Sequence, residues 1–202
     1  KLGDDSTGEI DIFDEDYLSK VEAIKQPATK LQLLQQMLAK AIDEFKKTNK
    51  VKSIDFSNRF QSIVEKYNER DETNTLKSEI IKDFSDEIIE MYKSLRTEML
   101  SFNELGIDFE EKAFYDILLS LAHKYDFIYP EDKLMELAKE VKETVDDKTK
   151  YSKWDVREDI KAELEVDIIL LLDKYGYPPV TADEAYKEIF DQAKNFKKNR
   201  LA

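Results

Sequence analysis

Cysteine is absent from the sequence, which excludes a disulfide framework and any thiolate metal site, and nothing argues for an oxidising compartment. Histidine occurs once, as His123. With no second ligand of matched spacing, it reads as a packing or solvent-facing side chain and not as a metal ligand or general base. Glycine and proline occur only four times each, too few to punctuate a chain of short strands. No glycine loop ends in Gly-Lys-Ser or Gly-Lys-Thr, and there is no Gly-x-Ser-x-Gly turn, so neither a phosphate cradle nor a nucleophile elbow is visible. Nowhere do 18 apolar residues run together, and Lys1 to Asp5 carries neither an initiator methionine nor a basic-then-apolar leader. These features suit a soluble, cytoplasmic piece of a longer protein, without a membrane partner.

What the chain has in abundance is charge. Its 45 acidic and 32 basic side chains leave a formal charge of −13, a field that repels a phosphate backbone unless the bases are segregated. Segregation does occur. Lys46, Lys47, Lys50 and Lys52 cluster in what reads as one connection, and Lys194, Lys197, Lys198 and Arg200 crowd the C-terminal end. These eight are the candidate contacts to DNA phosphates; the competing reading is that they complement the dipoles of helix ends. The carboxylate runs Asp14-Glu15-Asp16 and Asp146-Asp147 lack the glycine and spacing of a calcium loop and read as solvated helix caps, so neither a metal nor a cofactor is expected in this chain.

The apolar residues recur at intervals of three and four nearly throughout, which predicts an all-α fold, an irregular multi-helix bundle of about eight helices. Residues 1–13 mix glycines and acids as a leader or connector. Residues 14–71 form a helical segment, and the polar cluster Glu69 to Thr75 separates it from a C-terminal domain over 76–202. Stripes are expected on helices bearing Leu31, Leu34, Leu38, Ile42 and Phe45; Phe56, Phe60, Ile63, Val64 and Tyr67; Ile80, Ile81, Phe84, Ile88, Tyr92, Leu95 and Met99; Leu134, Leu137, Ala138, Val141 and Val145; and Ala185, Ile189, Ala193 and Phe196. Asp55 is the expected cap of a third helix. Asp108 with Glu111, and Thr181 with Glu184, have the form of capping boxes. Pro130 suits the first position of a sixth helix, and Asp146 to Ser152 is the expected link to the next, with Ser152 as its cap. The aromatics Phe114, Tyr115, Tyr125, Phe127 and Tyr129 could stack on bases, but their helical spacing beside Leu118 and Leu121 favours core packing.

One segment is more specific. Trp154, the step Ile160-Lys161-Ala162-Glu163-Leu164 and the exit Gly176-Tyr177-Pro178-Pro179 frame a helix whose stripe is Ile160, Leu164, Ile168, Leu171, Leu172 and Tyr175. Gly176 can take the left-handed conformation that closes a helix, and the two prolines cannot continue it. This segment resembles the C-terminal helical region of the motor (R) subunit of type I restriction enzymes, as do Arg59 to Arg70 and Leu105 to Tyr115. The family signature falls on Trp154, Lys161, Ala162, Leu164 and Gly176, with lysine at 161 where many relatives carry arginine.

The resemblance implies a non-catalytic part that docks the motor to the methyltransferase and specificity subunits and helps guide double-stranded DNA. The nuclease and ATP-driven motor sites, with ATP and magnesium, would lie elsewhere in the parent, a type I site-specific deoxyribonuclease. Tyr175, Tyr177, Pro178 and Pro179 are then candidate docking residues, although the same corner could simply staple the last helix in place. An autonomous DNA-binding module and a purely structural domain are the alternative readings.

Overall fold

Stripes three and four residues apart bury well only on helices, and the computed structural model, which describes residues 13, 15–69 and 77–200, contains no strand among them. The helices are α1 (Glu15–Glu22), α2 (Pro27–Thr48), α3 (Lys50–Asn68), α4 (Lys77–Leu100), the single turn α5 (Phe102–Leu105), α6 (Phe109–Lys124), α7 (Glu131–Thr149), α8 (Glu158–Lys174) and α9 (Ala182–Arg200). A 3-10 turn over Pro179–Thr181 precedes α9. Eight of the α-helices are eight residues or longer, in keeping with the all-α expectation. No helix among the described residues is long and apolar enough to cross a membrane.

The chain divides into two compact units that interleave along the sequence: Lys1–Asp43 with Phe56–Thr97, and Glu44–Asp55 with Glu98–Ala202. The division therefore runs through α2, α3 and α4. The leader up to residue 12, and residues 70–76 of the expected polar boundary, lie outside the described residues. In the first unit α2 buries Leu31, Leu34, Leu38 and Ile42, while α4 buries Phe84, Ile88, Tyr92 and Leu95. Tyr67 of α3 meets Phe84 edge-on with ring centroids 4.7 Å apart.

The second unit is built on α6, which packs against α7 and α9, and on α8, which packs against α7 and α9 in turn. Its core gathers Phe114, Leu118, Leu137, Val141, Leu164, Ile168, Ile189, Trp154 and Tyr177. The box at the start of α6 forms as its residues dictate. Asp108 accepts from the amides of Glu110 and Glu111, and the Glu111 carboxylate accepts from the Asp108 amide at 2.8 Å. Gly176 has φ +67 and closes α8 in a Schellman arrangement: the Tyr177 amide donates to Leu172 O at 2.8 Å and the Gly176 amide to Asp173 O at 2.9 Å. A Cβ at 176 would meet nothing within 4 Å. Gly176→Ala is therefore expected to lose about 1 kcal/mol through backbone conformation alone. An unchanged thermal midpoint would refute that role.

Several expected boundaries move, each for a physical reason. Helix α3 begins at Lys50, so Asp55 lies within it; Asn49 is the cap, its Oδ1 accepting from the Lys52 amide at 3.0 Å. Pro130 sits just before α7, not at its first position. The polar stretch from Asp146 extends α7 to Thr149 instead of linking, because Lys142 pairs with Asp146 one turn on at 3.0 Å and Lys148 reaches Glu163 and Asp167 of α8, each at 3.1 Å. Ser152 caps nothing. The backbone turns at Lys153, φ +55, and folds Trp154 into the core, so α8 starts only after Arg157. Thr181 and Glu184 form no capping box either. The Thr181 hydroxyl donates to Pro178 O at 2.9 Å, while Glu184 pairs with Lys124 and accepts from the Tyr125 hydroxyl at 2.7 Å.

Candidate functional site

The two lysine clusters lie about 145 residues apart in sequence, and helix ends bring them together. The last carbonyls of α2 and the first amides of α3 need partners from outside their own helices. Helix α9 supplies them. Gln192 accepts from the Lys50 amide at 3.0 Å and donates to Thr48 O at 3.1 Å; Asn195 donates to Lys46 O at 2.7 Å and to Lys47 O at 3.1 Å. Lys46 and Lys47 thus sit in the last turn of α2 and Lys50 and Lys52 in the first turn of α3, not in a loop. Beneath this junction Asn49 donates to Asp116 of α6 at 2.7 Å. Asp116 is also paired with Lys112 at 2.6 Å, and Lys112 with Glu98 at 2.9 Å. Burial holds the Asp116 carboxyl above its ordinary pKa, although Lys112 pulls it the other way.

The result is a groove of about 620 Å³ between α9, the α2–α3 junction and the turn before α8. Lys46, Lys50, Lys153, Lys194, Lys197 and Lys198 line it, opposed by only Asp155 and Asp191, with Trp154 and Asn195 completing the wall. Lys50 is engaged by Asp191 at 2.9 Å, and Lys197 donates to Thr149 O at 2.7 Å. Lys194 lies 5.6 Å from the centroid of the Phe190 ring. Lys46, Lys153, Lys194 and Lys198 are exposed and form no ion pair among the described residues, so their charge is available to a ligand.

Five of the eight candidate phosphate contacts therefore share one concavity. Lys47 instead pairs with Glu44 at 2.7 Å, half-buried Lys52 adds its charge to the field at Asp116, and the side chain of Arg200 lies outside the described residues. Lys153 was not among the eight, since nothing in its local pattern distinguishes it from any other lysine. Of the proline corner, Tyr177 is buried, donating to Leu118 O at 2.6 Å between the rings of Phe127 and Tyr129. Tyr175 is half-buried and its carbonyl accepts from the Tyr129 hydroxyl at 2.5 Å. Pro179 is exposed and Pro178 half-exposed. Lys161 pairs with Glu158 at 2.7 Å, Ala162 is exposed and Leu164 is core. His123 is exposed.

Sequence reasoning also overlooked the outer side of α8. Val166, Ile169 and Leu170, spaced as one helical face, are 54%, 37% and 60% exposed.

Fold and groove define the class as an all-α module presenting a basic concavity, with no cluster of three or more His, Cys, Asp or Glu among the described residues placed to hold a metal ion. Residues 1–199 match the family described as type I restriction enzyme HindI endonuclease subunit-like, C-terminal, and the chain belongs to that family. It is 25% identical over 185 residues to the type I restriction enzyme HindI endonuclease subunit of Haemophilus influenzae, a match covering 92% of this chain and 17% of that protein. It is 24% identical over 190 residues to the putative type I restriction enzyme MjaIXP endonuclease subunit of Methanocaldococcus jannaschii, covering 93% and 17% respectively. The chain thus spans about a sixth of the length of these relatives. No solved structure matches it.

Proposed function

We propose that this chain is a non-catalytic helical part of a type I restriction motor subunit and that its lysine groove guides double-stranded DNA by the phosphate backbone during ATP-driven translocation and cleavage. The observation that carries this reading is the convergence of five separately clustered lysines, with Lys153, on one concavity of a chain whose net charge is −13. Charge kept together against such a background suits a polyanion. ATP, magnesium and the nuclease and motor sites belong, in this reading, to the rest of the subunit. The test is a full-length motor subunit carrying Lys46→Gln, Lys194→Gln and Lys198→Gln. It should assemble normally yet lose processivity on DNA; translocation indistinguishable from the unmodified enzyme would overturn the proposal.

A second role, docking to the methyltransferase and specificity subunits, is favoured by the apolar outer face of α8. Val166, Ile169 and Leu170 form a contiguous exposed patch on a helix whose opposite side already fills the core. Val166→Asp with Leu170→Asp in the motor subunit is expected to abolish co-elution with the methyltransferase–specificity core. Unchanged assembly would sink the docking role. Normal assembly with a loss of stability would instead leave a purely structural part.

A further inference from the structure

We infer that the outer face of α8 receives an amphipathic helix whose apolar stripe is flanked by lysine and arginine, supplied by the methyltransferase–specificity core. The inference rests on the docking reading above and adds to it the kind of surface that docks. Ile160, Leu164, Ile168, Leu171 and Leu172 turn one side of α8 into the core. At about 100° per residue, Ala162, Val166, Ile169 and Leu170 fall nearly opposite them, and all four are exposed. A helix that is apolar on both sides is one covered on both sides. No other helix among the described residues exposes more than one large apolar side chain, so this second face is peculiar to α8 and is not the ordinary scatter of a surface.

The charges around the stripe decide what covers it. Within α8 six carboxylates stand against two lysines. Four of the six are engaged: Glu158 by Lys161, Asp159 by Arg157, and Glu163 and Asp167 by Lys148. Glu165 and Asp173 form no ion pair among the described residues, and they stand one turn before and one turn after Ile169. They border the stripe where lysine or arginine on a facing helix would meet them. A second copy of α8 would set these carboxylates against their own kind, and an anionic bilayer would be repelled by them, so neither fits the face. The stretch from Ala162 to Asp173 is about three turns and 17 Å long, a length that one packed helix covers.

The full chain is titrated with two labelled synthetic helices that share a leucine stripe, one flanked by lysine and the other by glutamate, and binding is followed by anisotropy. Only the lysine-flanked helix is expected to bind. Val166→Asp with Leu170→Asp should abolish that binding although it adds two negative charges; adhesion by charge alone would strengthen instead, and that result overturns the inference. In the full-length motor subunit, Glu165→Lys with Asp173→Lys should keep the thermal midpoint and weaken association with the methyltransferase–specificity core roughly tenfold, since like charges then face each other. Association that survives this charge reversal but is lost with Val166→Asp and Leu170→Asp overturns the basic helix and leaves the docking role standing. Association that survives both pairs overturns both. A chain that sediments as a dimer, and as a monomer once Val166→Asp and Leu170→Asp are introduced, covers the face with its own copy and overturns the inference.

Discussion

Lys112→Met is expected to destabilise the protein by about 3–5 kcal/mol near neutral pH, the range for removing one partner of a buried ion pair. The Lys112 side chain is 9% exposed and that of Asp116 1%, and their nitrogen and oxygen lie 2.6 Å apart. Without Lys112, Asp116 keeps only Asn49 as a close hydrogen-bond partner, and a buried carboxylate is left nearly uncompensated. The loss should depend on pH. Burial already raises the Asp116 pKa, and losing the lysine, which lowers it, raises it further. A carboxyl whose folded pKa lies above its unfolded value of about 3.9 contributes stability that is complete below that value and is lost as pH rises through the folded one. The deficit of Lys112→Met should therefore be largest at neutral pH and shrink as the solution approaches about pH 4. Adding Asp116→Asn should recover much of it, since the buried charge is then gone. Urea denaturation at several pH values checks both expectations; a deficit independent of pH would show that Asp116 is not left charged.

The second large effect is expected at the proline corner. Tyr177→Ala should cost about 3–5 kcal/mol, the range for emptying an aromatic site in a packed core. The ring is buried against Phe127 at 5.3 Å and Tyr129 at 5.2 Å, and its hydroxyl donates to Leu118 O from the exit that aims α9. Tyr177→Phe keeps the ring and removes only the hydrogen bond, so it should cost about 1 kcal/mol. Similar losses for the two variants would mean that the hydroxyl, not the ring, holds the corner. Thermal or urea midpoints distinguish them, and groove-dependent binding should weaken with Tyr177→Ala in proportion to the displacement of α9.

The apolar stripes were readable because a period of 3.6 is local: the stripe residues on α2, α7 and α9 are all buried. The capping box at Asp108 and the glycine stop at Gly176 were readable for the same reason, since each closes within six residues. Asn49 was not. Its role as the cap of α3 is local, but it is fixed in place by Asp116, 67 residues away, and Asp55 carries an equally good local signal. The expected caps at Ser152 and Thr181 failed similarly, because the burial of Trp154 and the bond to Pro178 O outweigh local preference. For the candidate site, both lysine clusters stood out as charge runs, but not their meeting. That depends on Gln192 and Asn195, two ordinary amides on α9 that happen to face the end of α2. Lys153 and the outer face of α8 left no mark that a stripe analysis would register.

The proposed grip of the lysine groove on a phosphate backbone is tested most directly by the salt dependence of duplex binding. For contact through Lys46, Lys153, Lys194 and Lys198, the four groove lysines that form no ion pair among the described residues, the logarithm of the association constant should fall with the logarithm of salt concentration with a slope of about −3.6, roughly a hundredfold loss between 50 and 200 mM salt. Lys46→Gln, Lys194→Gln and Lys198→Gln together should leave the fold intact and reduce the slope by about 2.7, nearly one per lysine. A duplex affinity that is undetectable at low salt, or a slope unchanged in the triple variant, would contradict the account.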